Sequence, residues 1–226
     1  MAKRKKSSRK KGRRRSRPIT SFKRRESIRQ PRERILIVCE GDKTEPRYFK
    51  SLRAELKLGT VIVVEGGEWG SAPISVVDYA LSRSERVSGR RKPRQKGQTS
   101  EPPFGEVWCV FDVDQHESFH RAVDKARANG LELVVSNPAF EYWYLLHFKE
   151  TDRPFADASE VIKSLKVYLP DYDKGDVFDH LFDRTDEAVG RARRILANCP
   201  DQDDDFPNPS TLAFKLVEKL KSMSNW

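Results

Sequence analysis

Long apolar runs are missing from this chain: none approaches the ~20 residues that cross a bilayer, which excludes a helical membrane protein. The basic N-terminus is not followed by an apolar stretch, so it does not read as a secretory signal. Cysteine is sparse. Cys39, Cys109 and Cys199 are an odd, widely spaced set with no CxxC pair, and only 4 histidines accompany them. That combination gives no basis for a zinc site and describes a reduced, cytoplasmic protein. Apolar residues are also scarce, at 37% against the ~45–50% usual for globular domains.

The apolar deficit is local, and it coincides with charge. Residues 1–32 hold 16 Lys/Arg against the single acid Glu26, a charge of +15, while residues 33–226 carry −5. Such a charge density cannot collapse, so the first 32 residues are expected to form a disordered tail. A second basic stretch, SGRRKPRQKGQTSEPP, opens an insert expected over residues 88–104; without its charge the body falls to −9. Both segments read as handles for a polyanion, and nucleic acid is the expected partner, since an acidic body alone would repel it. A solubilising tail is the bland alternative.

Between these segments the pattern alternates strand and helix. Arg34–Cys39 (RILIVC) is a short continuous apolar run, as in a strand buried on both faces. Thr44, Glu45 and Pro46 read as a helix start, with Thr44 as N-cap. Val61–Val64, Val107–Phe111 and Leu131–Val135 read as further strands. Helices are expected near 118–129, with Gly130 closing the helix, at 139–148, and at 157–168, 185–198 and 210–222. The expectation is an α/β fold: a parallel sheet of about four strands flanked by helices over 33–150, with a helical C-terminal extension over 151–226 on the same core.

Acids mark the strand ends, where open parallel sheets gather their function. The first strand runs into Glu40-Gly41, the second into Glu65-Gly66-Gly67, the third into Asp112-Val113-Asp114, and the fourth into Ser136-Asn137-Pro138 with Glu141 just beyond. Asp112 and Asp114 are two apart and would point the same way on an extended strand. Acids leaving apolar strands repel one another, and a divalent cation relieves that repulsion. Mg²⁺ suits few carboxylates and bridges phosphates. Each acid alone also reads as an ordinary turn residue, and D-x-D recurs in phosphatases and glycosyltransferases. Glu65 reads best as a turn residue, and His147 as a buried hydrogen-bonding group rather than a ligand.

The combination of E-G after strand one with D-x-D after strand three resembles the Toprim fold of topoisomerases, primases and overcoming-lysogenization-defect (OLD) nucleases. Glu40-Gly41, Thr44-Glu45-Pro46-x-Tyr48-Phe49, FDVDQH, SNPAFEYWYLLHF, Tyr172-x-Lys174 and Asn208-Pro209-Ser210-Thr211 together resemble the RloB-like family of bacterial restriction and defence loci. The resemblance spans about residues 34–222, leaving out the tail and the insert.

The resemblance implies a Toprim-like, Mg²⁺- or Mn²⁺-dependent nuclease site. Glu40 matches the Toprim glutamate, as acid/base or metal ligand, and Asp112 and Asp114 match its D-x-D ligands. Glu141 reads as a second-metal ligand or as a helix N-terminal acid. Lys174 reads as a phosphate-stabilising cation or as a surface lysine, and His116 as a phosphate contact or as a loop hydrogen-bonder. The expected activity is endonucleolytic cleavage of tRNA, other RNA or DNA in antiphage defence. A neighbouring AAA/ABC-type ATPase would be its partner, and homo-oligomerisation is left open. The competing reading is a non-catalytic module that binds nucleic acid or a partner. Small-molecule phosphotransfer through the D-x-D is a third, which leaves the +15 tail unexplained.

Overall fold

The computed structural model describes residues 34–59, 62–67, 70, 72–88, 103–113, 117–173, 177–199 and 206–224. The expected tail over 1–32, most of the insert over 88–104 and the site residues Asp114, His116 and Lys174 lie outside the described residues.

Five strands form one sheet in the order β2-β1-β3-β4-β5. They are β1 (Arg34–Cys39), β2 (Ile62–Gly66), β3 (Phe104–Asp112), β4 (Glu132–Asn137) and β5 (Ser210–Thr211). The first four are parallel, and β5 joins β4 antiparallel. Ile35 through Cys39 have no exposed surface, which is why β1 lacks the alternation of a half-buried strand. The helices α1 (Thr44–Glu55), α2 (Pro73–Ser88) and α3 (Phe119–Ala128) connect the parallel strands. Helices α2 and α3 pack against each other, and the right-handed crossover rule with this strand order assigns them one face of the sheet and α1 the other. Gly130 takes φ +66° just past α3, the left-handed position that lets the chain turn into β4.

After β4 come α4 (Glu141–Leu146), α5 (Ala158–Leu165), α6 (Phe178–Leu181) with a 3-10 turn (Phe182–Arg184), α7 (Thr185–Ala197) and, beyond β5, α8 (Ala213–Ser224). These helices share one apolar core with the sheet. Tyr48 on α1 is the hub of the aromatic part: its ring lies 5.3–6.3 Å from Phe49, Phe140, Trp143, Tyr144, His147 and Phe178. No helix among the described residues is long and apolar enough to cross a membrane.

Several expectations need correction. The sheet has a fifth strand, because Ser210–Thr211 pair with β4 instead of opening a helix, and α8 begins at Ala213. Thr44 is the first residue of α1, not its N-cap; Lys43 holds that place without a side-chain cap bond. The α4 helix covers Glu141–Leu146 only. The insert is shorter than expected at both ends: α2 continues through Ser88, and Phe104 begins β3.

Asn208 of the Asn-Pro-Ser-Thr segment clamps the chain at Phe155. Its amide donates to the Phe155 carbonyl at 2.7 Å and its oxygen accepts from the Phe155 N–H at 3.1 Å. The Ser136 and Thr211 hydroxyls meet at 2.9 Å across β4 and β5. The His147 ring is fully buried, with Nδ1 2.9 Å from the Trp143 carbonyl. Burial, partly opposed by its backbone hydrogen bonds, lowers its pKa from 6.5 to about 4. In the unfolded chain the ring titrates near 6.5, so this group's stabilising contribution is complete above that pH and is lost as pH falls towards 4. An NMR titration is expected to show the His147 ring still neutral at pH 5.5, where exposed histidines are protonated; a midpoint near 6.5 would contradict it.

Candidate active site

The strand order changes direction at one place. The connection from β1 leads through α1 to β2 on one side, and that from β3 leads through α3 to β4 on the other. The crevice beyond the C-terminal ends of β1 and β3 is therefore the topological switch point of the sheet. Glu40 and Asp112 stand at those two ends. The Glu40 N–H donates to the Val110 carbonyl at 2.9 Å, which carries the β1–β3 pairing one residue past β1. The Asp112 N–H donates to Glu40 Oε2 at 3.3 Å.

A cleft of about 410 Å³ opens there, lined by Glu40, Gly41, Asp42, Lys43, Thr44, Glu45, Asp112, Phe140 and Glu141. Five acids thus line one hollow: Glu40, Asp112 and Glu141, which the sequence reading singled out, and Asp42 and Glu45, which it did not. Glu45 is 7% exposed and Glu141 4%, both unusual for carboxylates. Glu45 occupies the core-facing stripe of α1, in phase with buried Tyr48, Phe49 and Leu52. An acid at i of an i, i+3, i+4, i+7 apolar stripe was a readable signal, but the Thr-Glu-Pro helix start had already accounted for it.

Gly41 has a specific reason to be glycine. A Cβ there would stand 2.5 Å from Glu45 Oε2, so the glycine leaves the space that the carboxylate fills. Gly41→Ala is expected to push the flexible Glu45 side chain aside. If the site is catalytic, turnover should fall at least tenfold while the melting temperature shifts by less than ~3 °C, a cost on the order of 1 kcal/mol. Unchanged turnover would separate Glu45 from the chemistry.

Tyrosines tie down two residues of the lining. The Tyr172 hydroxyl donates to Glu141 Oε1 at 3.0 Å, and the Tyr144 hydroxyl donates to the Thr44 carbonyl at 3.1 Å. Burial, and next the charge of Glu141, hold the Tyr172 phenol above its usual range, so it remains a donor. Through Tyr172 the C-terminal segment reaches the site; Lys174, two residues later in the chain, lies outside the described residues, as do Asp114 and His116. Glu65 is turned away: its carboxylate accepts from Tyr79 at 2.7 Å and Arg83 at 3.1 Å.

The electrostatics centre on Asp112. Burial is the first cause that raises its pKa well above the ordinary carboxylate range. The charges of Glu45, Glu141 and Glu40 add to this, and a hydrogen bond from the Phe140 N–H opposes it. Among the described residues no group of three or more His, Cys, Asp or Glu side chains is already gathered into a metal-holding cluster. The donor set nevertheless fits a hard divalent cation in kind: its carboxylates offer oxygen ligands, anionic and crowded. Another cleft, of about 470 Å³, lies beside Glu150, Cys199 and Asn208 and is not part of the acid cluster.

No curated protein and no solved structure matched this chain. One protein family did, the RloB-like proteins, over residues 35–220, a span that holds Glu40, Glu45, Asp112 and Glu141. The chain belongs to the RloB-like protein family.

Proposed function

We propose that this protein is a Mg²⁺- or Mn²⁺-dependent endonuclease that hydrolyses phosphodiesters of tRNA, other RNA or DNA. The observation that carries the reading is the convergence of Glu40, Glu45, Asp112 and Glu141 at the sheet's switch point, with Asp112 resisting ionisation beside its neighbours. The Toprim resemblance of the E-G and D-x-D segments supports the same chemistry. Glu40 and Asp112, with Asp114 by sequence and Glu141 or Glu45 beside them, would hold the cation. A bound cation of this kind supplies Lewis acidity towards phosphate and makes a water nucleophilic at neutral pH.

The chain's own residues have separable tasks. Glu40 is tied to β3 through the Asp112 N–H, so its carboxylate is oriented as a proton acceptor at the crevice. Tyr172 fixes Glu141 and occupies one of its acceptor sites. The +15 N-terminal stretch and the basic insert draw a polyanion towards a body whose own charge opposes it. Action in the cytoplasm, in antiphage defence and under the control of an ATPase partner belongs to the same proposal.

The second reading is a nucleic-acid or partner-binding module without catalysis, in which the acids of the cleft hold a structural metal or none. Incubation with single- and double-stranded DNA and with a total tRNA pool separates the two. The nuclease reading expects cutting with Mg²⁺ or Mn²⁺ and none with EDTA. Binding without cutting of any of these polymers, also with the ATPase partner present, would establish the module.

A further inference from the structure

The acid cleft leaves one feature of the surface unused. Val167 and Tyr168, at 75% and 40% exposure, are the exposed large hydrophobic side chains among the described residues. They follow α5, and the other described large hydrophobic residues are buried or partly buried. Tyr168 is nevertheless ordered by a neighbour: its ring stacks on Phe148 at 5.2 Å between centroids and 7° between planes. The Arg184 guanidinium lies over the Phe148 ring at 5.4 Å. With one face of Tyr168 on Phe148, its exposure falls on the opposite face and the edge.

A groove of about 150 Å³ adjoins this ring, and Lys149, Arg153 and Thr151 line it with Val167 and Tyr168. Arg153 shares its charge with Glu160 at 2.9 Å; Lys149 is exposed. Among the described residues no carboxylate lines the groove, although acids outnumber bases across the body. An open aromatic face beside a cationic groove matches a nucleotide whose base is unpaired: the base extends the stack and the phosphate meets the cations. A duplex, whose bases are already stacked on one another, offers no such face.

We propose that Tyr168, backed by Phe148 and Arg184, is a stacking platform for an unpaired nucleobase, with Lys149 and Arg153 receiving the adjoining phosphate. The proposal rests on the nucleic-acid reading above and narrows it to single strands and loops. The α4 helix joins the two places, with Glu141 at its start and Phe148 just past its end. Their separation of about 10 Å of helical rise spans about three stacked nucleotides.

The test is fluorescence anisotropy of the full chain with a labelled single-stranded RNA and with the duplex of the same sequence. EDTA is present to prevent cutting, and two salt concentrations are used. Tyr168→Ala is expected to weaken single-strand binding about 5-fold or more, the scale of one lost base stack. The loss persists at the higher salt, where charge contributes least. Tyr168→Phe stays within about twofold of the parent, and duplex affinity does not change for either variant. Equal losses on single strand and duplex, or no loss on either, would overturn the platform and leave the nuclease reading standing. A parent chain that binds neither form would overturn both. The expected losses without cutting under any metal would keep the platform and remove the nuclease.

Discussion

Asp112→Asn and Glu40→Gln are each expected to lower metal-dependent cleavage by ~10³-fold or more, the scale on which lost acid–base or charge-stabilising groups act. Both substitutions keep shape and remove charge. Asparagine can still accept the Phe140 N–H, and glutamine can still accept the Asp112 N–H, so the ends of β1 and β3 stay where they are. What is lost is an anionic oxygen at the switch point. Nucleic-acid binding should be nearly unchanged, because its main charge contribution comes from the basic segments and not from an acidic cleft. Glu45→Gln is expected to behave like them, with a loss of at least tenfold, since Glu45 is the neighbouring charge that acts most strongly on Asp112. The readout is single-turnover cleavage with saturating Mn²⁺ beside an affinity measurement in EDTA. Wild-type cleavage by Asp112→Asn or Glu40→Gln would remove this cleft as the catalytic site. Loss of binding together with cleavage would instead point to a folding defect.

The parts of this site that could be read from sequence are those whose signal is local. RILIVC is a buried strand because six consecutive residues supply surface for both faces, and the acid that follows it must sit at the strand's end. The same holds for Asp112 after the apolar end of β3. Glu141 was legible as an acid at a helix start, but its burial depends on Tyr172, 31 residues away, and no spacing rule encodes that pairing. Glu45 is different. Its signal was local but had two explanations, a helix-start acid or a charge on the core-facing stripe, and only the packed structure decides for the stripe. The fifth strand was not legible, because two residues cannot display a period. Ser210–Thr211 become a strand only because β4 offers an open edge and Ser136 meets Thr211 across it. The exposed Tyr168 stack was likewise hidden, since Tyr168 lies in the turn after α5 and stacks on Phe148, 20 residues back in the chain.

The substitution that abolishes cleavage should also stabilise the cation-free protein. A carboxyl whose folded pKa is raised binds its proton more tightly in the native state than in the unfolded chain. Stability from Asp112 is therefore present at pH values below the unfolded pKa of about 3.9. It is lost as pH rises from there through the higher folded pKa. Each unit of that displacement is worth ~1.4 kcal/mol against the folded state once the group is charged. The described lining of the cleft sets five acids, Glu40, Asp42, Glu45, Asp112 and Glu141, against one base, Lys43. Asp112→Asn removes the carboxyl whose ionisation burial and its acidic neighbours oppose, and puts an amide in its place. Its melting temperature in EDTA is expected to exceed wild type by several degrees, at ~2–4 °C per kcal/mol for a chain of this size. The gap should close towards pH 4, where Asp112 is protonated in the folded state and its charge no longer counts against folding. Mn²⁺ should raise the wild-type melting temperature and leave the variant's nearly unmoved, by the linkage between binding and stability. A variant less stable than wild type at pH 7.5 in EDTA would mean that Asp112 holds the cleft together rather than straining it. A Mn²⁺ shift equal in the two proteins would place the cation elsewhere.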